Sequence, residues 1–339
     1  MRDLARARRR VKRDASVDLV ELAADLGTPL KSVPYLPRYY ELAEDRPVAA
    51  TAAYKASLIF GGDVSSGVAV AALAPQPGDD CLDLCCAPGV KMAAIAEAVA
   101  PDGSVTGVDI DKARLAACGS LLRKYRLPRI RLYRADGRTF AVEAPPLGTR
   151  DKATLATCAD RSGTATKPYY ASAFLRACPD RSGRLYDRVL VDAECTHDGS
   201  PKHLLKAQAL GWTAFVTRGL DPARVVALPE LQGALLRRGF ELVRPGGTVV
   251  YATCSLTRTQ NEQVVAAFLT STPAARLVPS GVTNLPLAAY QPWPPGAAAM
   301  DDGGAAVLAA RPHVLRFDGS RTRTSGLFVA KFERVVSGE

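Results

Sequence analysis

Two cysteines stand where thiols do chemistry. Cys195 follows the run Val189-Leu190-Val191-Asp192-Ala193-Glu194, and Cys254 follows Val249-Val250-Tyr251-Ala252-Thr253. Each comes just past a short apolar, β-branched run of the kind that forms a buried strand. Cysteines that serve only packing prefer the middle of a strand or helix, as Cys81 and Cys118 do here. A thiol at a strand end can instead act as a nucleophile, if its surroundings raise the small thiolate fraction present at neutral pH. Zinc is the competing use for Cys195 and the nearby His197. The chain has three histidines and no paired ligand motif, so no metal is expected. His197 and His203 read as loop residues, available to touch a polyanion.

Acids end the other strands. The segment Asp83-Leu84-Cys85-Cys86-Ala87-Pro88-Gly89-Val90-Lys91 joins a predicted strand to a predicted helix. Its small residues let a backbone approach a ligand, and the helix N-terminus offers N–H groups to a carboxylate. It has one glycine where a pyrophosphate-binding G-x-G-x-x-G needs three, which disfavours a dinucleotide. Asp109 ends the next strand, placed to accept from ribose hydroxyls. Asp136 ends the third, where it can receive an adenine amino group, and Asp192 ends the fourth, near a cationic methionine portion. Any one of these acids could be a turn or cap residue. Three in register suit a ligand with ribose, amine and sulfonium charge, which is S-adenosyl-L-methionine. Its expected contacts are Cys85, Cys86, Ala87, Pro88, Gly89, Val90, Lys91, Asp109, Asp136 and Asp192.

A thiol beside a methyl sulfonium points to one reaction. Carbon 5 of cytosine is a poor nucleophile. Addition of the Cys254 thiolate at carbon 6 would turn the ring into an enamine and make carbon 5 reactive. Asp192 is the candidate to stabilise charge near N3. A base then removes the carbon 5 proton and the thiol leaves. The cationic cofactor and Lys91 should raise the thiolate fraction.

These residues need a scaffold that brings strand ends together. Strands are predicted at Cys81–Cys85, Ser104–Val108, Arg131–Tyr133, Tyr186–Val191, Thr248–Ala252 and, late in the chain, Gly326–Phe332. Helices are predicted at Val17–Leu26, Val68–Leu73 (capped by Ser65 or Ser66), Met92–Val99, Ala113–Tyr125, Leu231–Leu242 and Asn261–Leu269. The alternation predicts an α/β fold, a parallel doubly wound sheet whose ligands lie at the carboxyl ends of its strands. Residues 1–57 read as a basic tail and a small, helical RNA-contacting region, and residues 58–335 as the catalytic domain. Tyr35, Arg38, Tyr39 and Tyr40 around Pro34 and Pro37 could stack on bases, though packing onto the main domain suits most of the tyrosines better. Residues 141–184 are low in complexity, with an echo between Cys158–Gly163 and Cys178–Gly183, and read as an insertion without chemistry. Residues 271–312 hold another loop.

Bulk properties agree with this. The chain has 339 residues, 47% hydrophobic and 23% charged, ordinary for a folded protein large enough to bury a core. The net charge of +10 suits RNA or DNA. Eight cysteines without a C-x-x-C pair suggest reduced, intracellular thiols. No apolar run is long enough to cross a membrane. The Arg-rich start contains Asp3, Asp14 and Asp18, which count against a transit peptide; cytoplasm, nucleus and mitochondrion stay open. A monomer is the simplest expectation, on which the sequence itself is silent.

Together these segments resemble the Sun-type RNA 5-methylcytosine methyltransferases over roughly Ile59 to Phe332, the two loops apart. Asp83–Lys91 looks like that family's cofactor motif, and Asp109 and Asp136 like its ribose and adenine acids. Asp192-Ala193-Glu194-Cys195 looks like its fourth motif and Tyr251-Ala252-Thr253-Cys254-Ser255 like its sixth. Ser65-Ser66 and Gly326–Ala330 also match. The resemblance implies a class I S-adenosylmethionine-dependent methyltransferase sheet and a tRNA or rRNA substrate. It implies Cys254 as the attacking thiol, Cys195 as the residue that helps release product, and Lys91 with Asp192 as the holders of the cytosine. The family usually has Gly at Val90, Pro at Glu194 and Ser at Thr196. Val90 should narrow the freedom of the turn, and Glu194 should loosen the loop and add negative charge beside Cys195. Those departures motivate a second expectation, a catalytically weak RNA-binding scaffold. A nitrogen or oxygen methyltransferase would call for an Asn/Asp-Pro-Pro-Tyr type of motif, which the sequence lacks.

Overall fold

The structure is a computed structural model. It describes residues 10–13, 17–42, 48–145, 168–172, 183–211, 221–285, 313–317 and 324–336, with residues 175, 213, 216, 217 and 322 between them. The basic segment before residue 10, most of the expected insertion and most of the later loop lie outside the described residues.

The N-terminal region is a small sheet rather than a set of helical pieces. Strands β1 (Arg10–Arg13), β2 (Leu30–Ser32), β3 (Tyr39–Leu42) and β4 (Ile59–Gly62) pair antiparallel in the order β2-β3-β1-β4. Helix α1 (Leu19–Leu26) forms as its apolar spacing predicts. Asp18 caps it, accepting from the N–H groups of Val20 and Glu21. The short helix α2 (Ala52–Lys55) completes the unit. Leu22, Leu26, Leu42, Val48, Ala53 and Ile59 form its own core. Pro34 and Pro37 mark the turn between β2 and β3, where the β-forming Tyr39-Tyr40 pair begins the strand. The tyrosines pack: Tyr35 and Tyr39 lie on the main core and Tyr40 on the small one. The ring of Tyr39 comes so close to Gly67 that a Cβ there would sit 2.7 Å from its Cζ.

The main domain continues with α3 (Val64–Leu73), β5 (Asp80–Asp83), α4 (Val90–Val99), β6 (Ser104–Asp109), α5 (Lys112–Lys124), β7 (Ile130–Arg134) and β8 (Tyr170–Ala171). Then follow β9 (Tyr186–Asp192), α6 (Pro201–Leu210), α7 (Pro222–Leu242), β10 (Val243–Thr253), α8 (Glu262–Ser271), β11 (Ala275–Val278), β12 (Leu315–Phe317) and β13 (Leu327–Arg334). Strand order is β11-β13-β10-β9-β5-β6-β7-β8, with β12 also pairing β13. The five central strands are parallel. The late strand β13 and the edge strand β8 run antiparallel, so the sheet is mixed at its margins.

Alternating strand residues feed two cores. Cys81, Val105, Leu190 and Val250 face α3, α4 and α5, while Leu82, Val189, Val191 and Tyr251 face α7 and α8. Burial on both faces explains why these strands read as continuous apolar runs. Two helix starts differ from expectation. Asp63, not Ser65 or Ser66, caps α3, accepting from the Ser65 N–H at 2.8 Å. Helix α7 begins at Pro222 behind an Asp221 cap and carries Pro229 inside it, whereas a proline normally argues for a helix boundary. Among the described residues no helix is long and apolar enough to cross a membrane.

Candidate active site

Adjacent parallel strands set the two cysteines side by side. Asp192 of β9 is in register with Ala252 of β10, and the Ala193 N–H donates to the Ala252 carbonyl at 3.0 Å. Cys195 and Cys254 therefore leave the sheet together, with their sulfurs 3.4 Å apart and both thiols free. Cys195 is wholly buried, whereas Cys254 is partly exposed. His197 joins them: its Nδ1 lies 3.1 Å from Cys254 Sγ and 3.5 Å from Cys195 Sγ. The three donor atoms all lie within 4.8 Å of one another. We read the three as acids and bases.

The two thiols titrate as one unit. A hydrogen bond from Cys254, helped by His197, pulls Cys195 down to about 5 against the effect of burial. The same bond and burial hold Cys254 well above the ordinary thiol range, with Lys91 working the other way. The first proton leaves the pair easily and the second with difficulty. Burial works to lower the His197 imidazole, but its hydrogen bond to Cys195 and the charge there outweigh burial and leave it raised.

A buried polar seam ties the two loops. The Thr196 N–H donates to Gln260 Oε1 at 3.1 Å, and Gln260 Nε2 donates back to Thr196 Oγ1 at 3.2 Å. Tyr251 Oη donates to the Gln260 carbonyl. Asn261 Nδ2 donates to the Ser255 carbonyl at 2.9 Å. The Gly199 N–H donates to the Cys254 carbonyl at 3.0 Å, and a Cβ on Gly199 would sit 2.6 Å from that oxygen. Only glycine lets the backbones come this close.

Lys91 and Asp192 lie together as expected. Lys91 Nζ donates to Asp192 Oδ2 at 2.6 Å, joining the first turn of α4 to the end of β9. Burial works to lower the ammonium, but Asp192 more than offsets this and leaves it raised. Beneath them is Asp83, buried at the end of β5 with its carboxylate accepting from the Cys85 N–H. Burial, and then repulsion from Asp192, push it up to about 7.

At the other expected cofactor positions the structure separates backbone roles from side-chain roles. Gly89 precedes α4 in a left-handed conformation, φ 103°, and no side chain caps that helix, so its first N–H groups are open to a carboxylate. Asp109 is buried at the end of β6 and accepts from the N–H groups of Ala87 and Asp111 at 3.3 and 2.9 Å. Arg114 grips the same turn through the Ala87 carbonyl. Asp136 is held by Arg138 at 2.6 Å, which keeps its carboxyl low; a role toward adenine requires sharing with that guanidinium. The Cys86 side chain does not reach the edge. It is buried near Cys118 and Gly107, and its N–H is taken by the Val108 carbonyl. An uncapped helix start, a buried acid at the neighbouring strand end and the Lys91–Asp192 pair fit S-adenosylmethionine.

The departures at Val90 and Glu194 are accommodated. Val90 is the first residue of α4 and is not among the positive-φ residues; the turn's glycine requirement falls on Gly89. Glu194 does not loosen its loop. Arg224 pairs with its carboxylate at 2.7 Å and also donates to the Cys195 carbonyl at 3.1 Å. Gln232 Nε2 donates to the Glu194 carbonyl at 2.7 Å. Hydrogen bonds stiffen the loop where a proline would, and the added charge is paired.

Three site residues, Asp83, Gln260 and Arg224, escaped the sequence reading, and His197 was read there as a loop residue with zinc as its competing use. Asp83 ends β5 just as Asp109 ends β6, so the same strand-end rule would have found it. His197, Gln260 and Arg224 carry no such signal.

The chain is similar to known proteins in sequence and fold. A family model described as 16S rRNA methyltransferase RsmB/F matches residues 70–155 and 164–333, well over half of the chain. Ribosomal RNA small subunit methyltransferase B of Enterobacter sp. is 30% identical over 250 residues, covering 74% of this chain and 47% of the relative. The protein of that name from Salmonella arizonae is 30% identical over 274 residues, covering 81% and 52%. The chain thus spans about half the length of the curated relatives it matches. Two solved structures from Pyrococcus horikoshii each cover 98% of the chain. One, described as NSun6 with SFG, has a TM-score of 0.67, 15% identity and 94% of its own length covered. The other, described as a methyltransferase homolog protein, has a TM-score of 0.64, 21% identity and 90% covered. The fold is that of the class I S-adenosylmethionine-dependent methyltransferases.

Proposed function

We propose that this chain, which belongs to the 16S rRNA methyltransferase RsmB/F family, methylates carbon 5 of a cytosine in tRNA or rRNA through a covalent adduct on Cys254. One observation carries the reading: two free thiols 3.4 Å apart, at neighbouring strand ends, beside a 2.6 Å Lys91–Asp192 pair. An oxygen or nitrogen methyltransferase has no use for that pair of sulfurs.

Cys254 is the nucleophile because it is the more exposed sulfur and the first that an incoming ring meets; Cys195 stands 3.4 Å from it. The Cys254 thiolate adds to carbon 6, and electron density moves toward N3. Asp192, oriented by Lys91, passes a proton to N3 as charge arrives there, which steadies the enamine, and takes it back when carbon 5 is methylated. S-adenosylmethionine, when bound, supplies the methyl group to carbon 5. Cys195, the more acidic thiol, takes the carbon 5 proton. The electrons of that C–H bond re-form the ring double bond, and the bond between carbon 6 and Cys254 breaks. The α4 start, Asp109 and Asp136 hold the cofactor. With Val90 in ordinary helical backbone and Glu194 paired, neither departure supports the weak-scaffold reading.

Incubation of Cys195→Ala with RNA and cofactor should trap an RNA–protein adduct that survives denaturation. Cys254→Ala should form no adduct and transfer no methyl group. Absence of any adduct in Cys195→Ala would count decisively against the covalent route.

A further inference from the structure

We propose that His197 is a further catalytic residue of this centre: its Nδ1 takes the proton that leaves Cys254 and returns it when the thiol is released. The proposal rests on the reading of Cys254 as nucleophile. Geometry carries it. Nδ1 lies 3.1 Å from Cys254 Sγ, within reach of that proton. The ring is held there by its backbone. His197 adopts φ 57°, an uncommon conformation for a side-chain-bearing residue. The loop is pinned on both sides, by the Gly199 N–H on the Cys254 carbonyl and the Ser200 N–H on the His197 carbonyl, both at 3.0 Å. The His203 ring stacks on the His197 ring at 4.4 Å and 13°. His203 Nδ1 turns to Ser200 Oγ at 3.0 Å and so does not compete for Nδ1 of His197.

The chemistry explains why such a base is needed. Cys195 sits 3.4 Å away and ionises first, so its negative charge opposes a second thiolate on Cys254. The neutral form of the imidazole, which gains population as pH rises through its raised pKa, removes that obstacle. The Cys254 proton moves to Nδ1, and the new imidazolium faces the Cys195 thiolate while Cys254 bonds carbon 6. Cys195 then takes the carbon 5 proton. The departing Cys254 thiolate recovers its proton from Nδ1, and Cys195 loses the carbon 5 proton to solvent, so one proton is released per turnover. The charged and titratable groups facing the imidazole are Asp192 and Cys195 from the β9 end, Cys254 from the β10 end, His203 from α6 and Arg224 from α7.

The test reads the thiol directly. In the Cys195→Ala background, Cys254 alkylation by iodoacetamide is followed against pH by mass spectrometry, with His197 intact or replaced by Gln or Ala. Loss of the imidazole should slow alkylation at pH 7 by about tenfold and move its midpoint upward. In the full chain with both cysteines, His197→Gln should lower methyl transfer by about a hundredfold and remove the acidic limb of its pH profile. An unchanged alkylation profile in both variants, each melting like its parent, would overturn the proposal. So would a Cys254 that resists iodoacetamide until a chelator strips bound zinc. Alkylation that depends on His197 in a protein that methylates no cytosine would support the base and sink the proposed reaction instead.

Discussion

The hydroxyls of Thr196 and Ser255, each the residue after a site cysteine, meet at 3.0 Å in the buried seam between the two loops. The sulfurs are therefore set by their neighbours' hydrogen bonds as much as by the sheet. Thr196 Oγ1 also meets Asp198 and Gln260. Serine, the family's usual residue here, could make all of these contacts. Valine fills the same volume and makes none.

Thr196→Ser should melt within a degree or so of the parent and keep most of its activity. Thr196→Val strands several buried partners, at a cost of about 1–3 kcal/mol, and should lower the melting temperature by a few degrees. It should reduce methyl transfer further than that loss explains, because the sulfurs lose their registry. Thermal melts and initial rates on the three proteins decide it.

Asp83 makes stability depend on pH. The folded protein keeps its proton up to about pH 7, while an unfolded aspartate loses it near pH 4. Between those values the unfolded chain binds fewer protons, so stability falls as pH rises through the window. The contribution is on the order of 4 kcal/mol. Urea denaturation at pH 5 and pH 8 should show the loss on the alkaline side. Asp83→Asn should be the less pH-dependent protein of the two; equal slopes would remove Asp83 from this role.

Asp192, Cys195 and Cys254 could be placed from sequence because β9 and β10 are continuous apolar strands buried on both faces, whose ends are abrupt. The N-terminal sheet could not. Its strands have three or four residues, and β1 finds its partner β4 only across the whole region, Arg10 opposite Gly62. Such non-local pairing leaves no local pattern, while the helical spacing of α1 is strong. The contact of His197 with both sulfurs was out of reach for a related reason. Its part in the site depends on a left-handed backbone that turns the ring back on both sulfurs, and nothing in its neighbours' types announces that turn.

Arg224 should matter more than its ion-pair partner. Half-exposed Glu194 forms a pair worth no more than about 1 kcal/mol, so Glu194→Ala should keep activity within about threefold. Arg224→Ala loses that pair and also the bond to the Cys195 carbonyl. It should lower methyl transfer by about tenfold, the equivalent of 1.4 kcal/mol. A Glu194→Ala variant as damaged as Arg224→Ala would mean that charge, and not the carbonyl contact, sets the loop.

The cofactor turn offers the sharpest contrast between neighbours. Gly89→Ala places a Cβ 2.7 Å from Cys118 Sγ on a backbone at φ 103°. It should cost more than about 1 kcal/mol and weaken S-adenosylhomocysteine binding by calorimetry. Removing the sulfur as well, in Gly89→Ala with Cys118→Ala, relieves the clash but not the backbone strain, so recovery should be partial. Val90→Gly, which restores the family's usual residue, should leave binding unchanged and cost about 0.5–1 kcal/mol, because Val90 stands in ordinary helix. Tighter binding in Val90→Gly would mean that the valine side chain itself crowds the ligand, and that the requirement for glycine extends beyond residue 89.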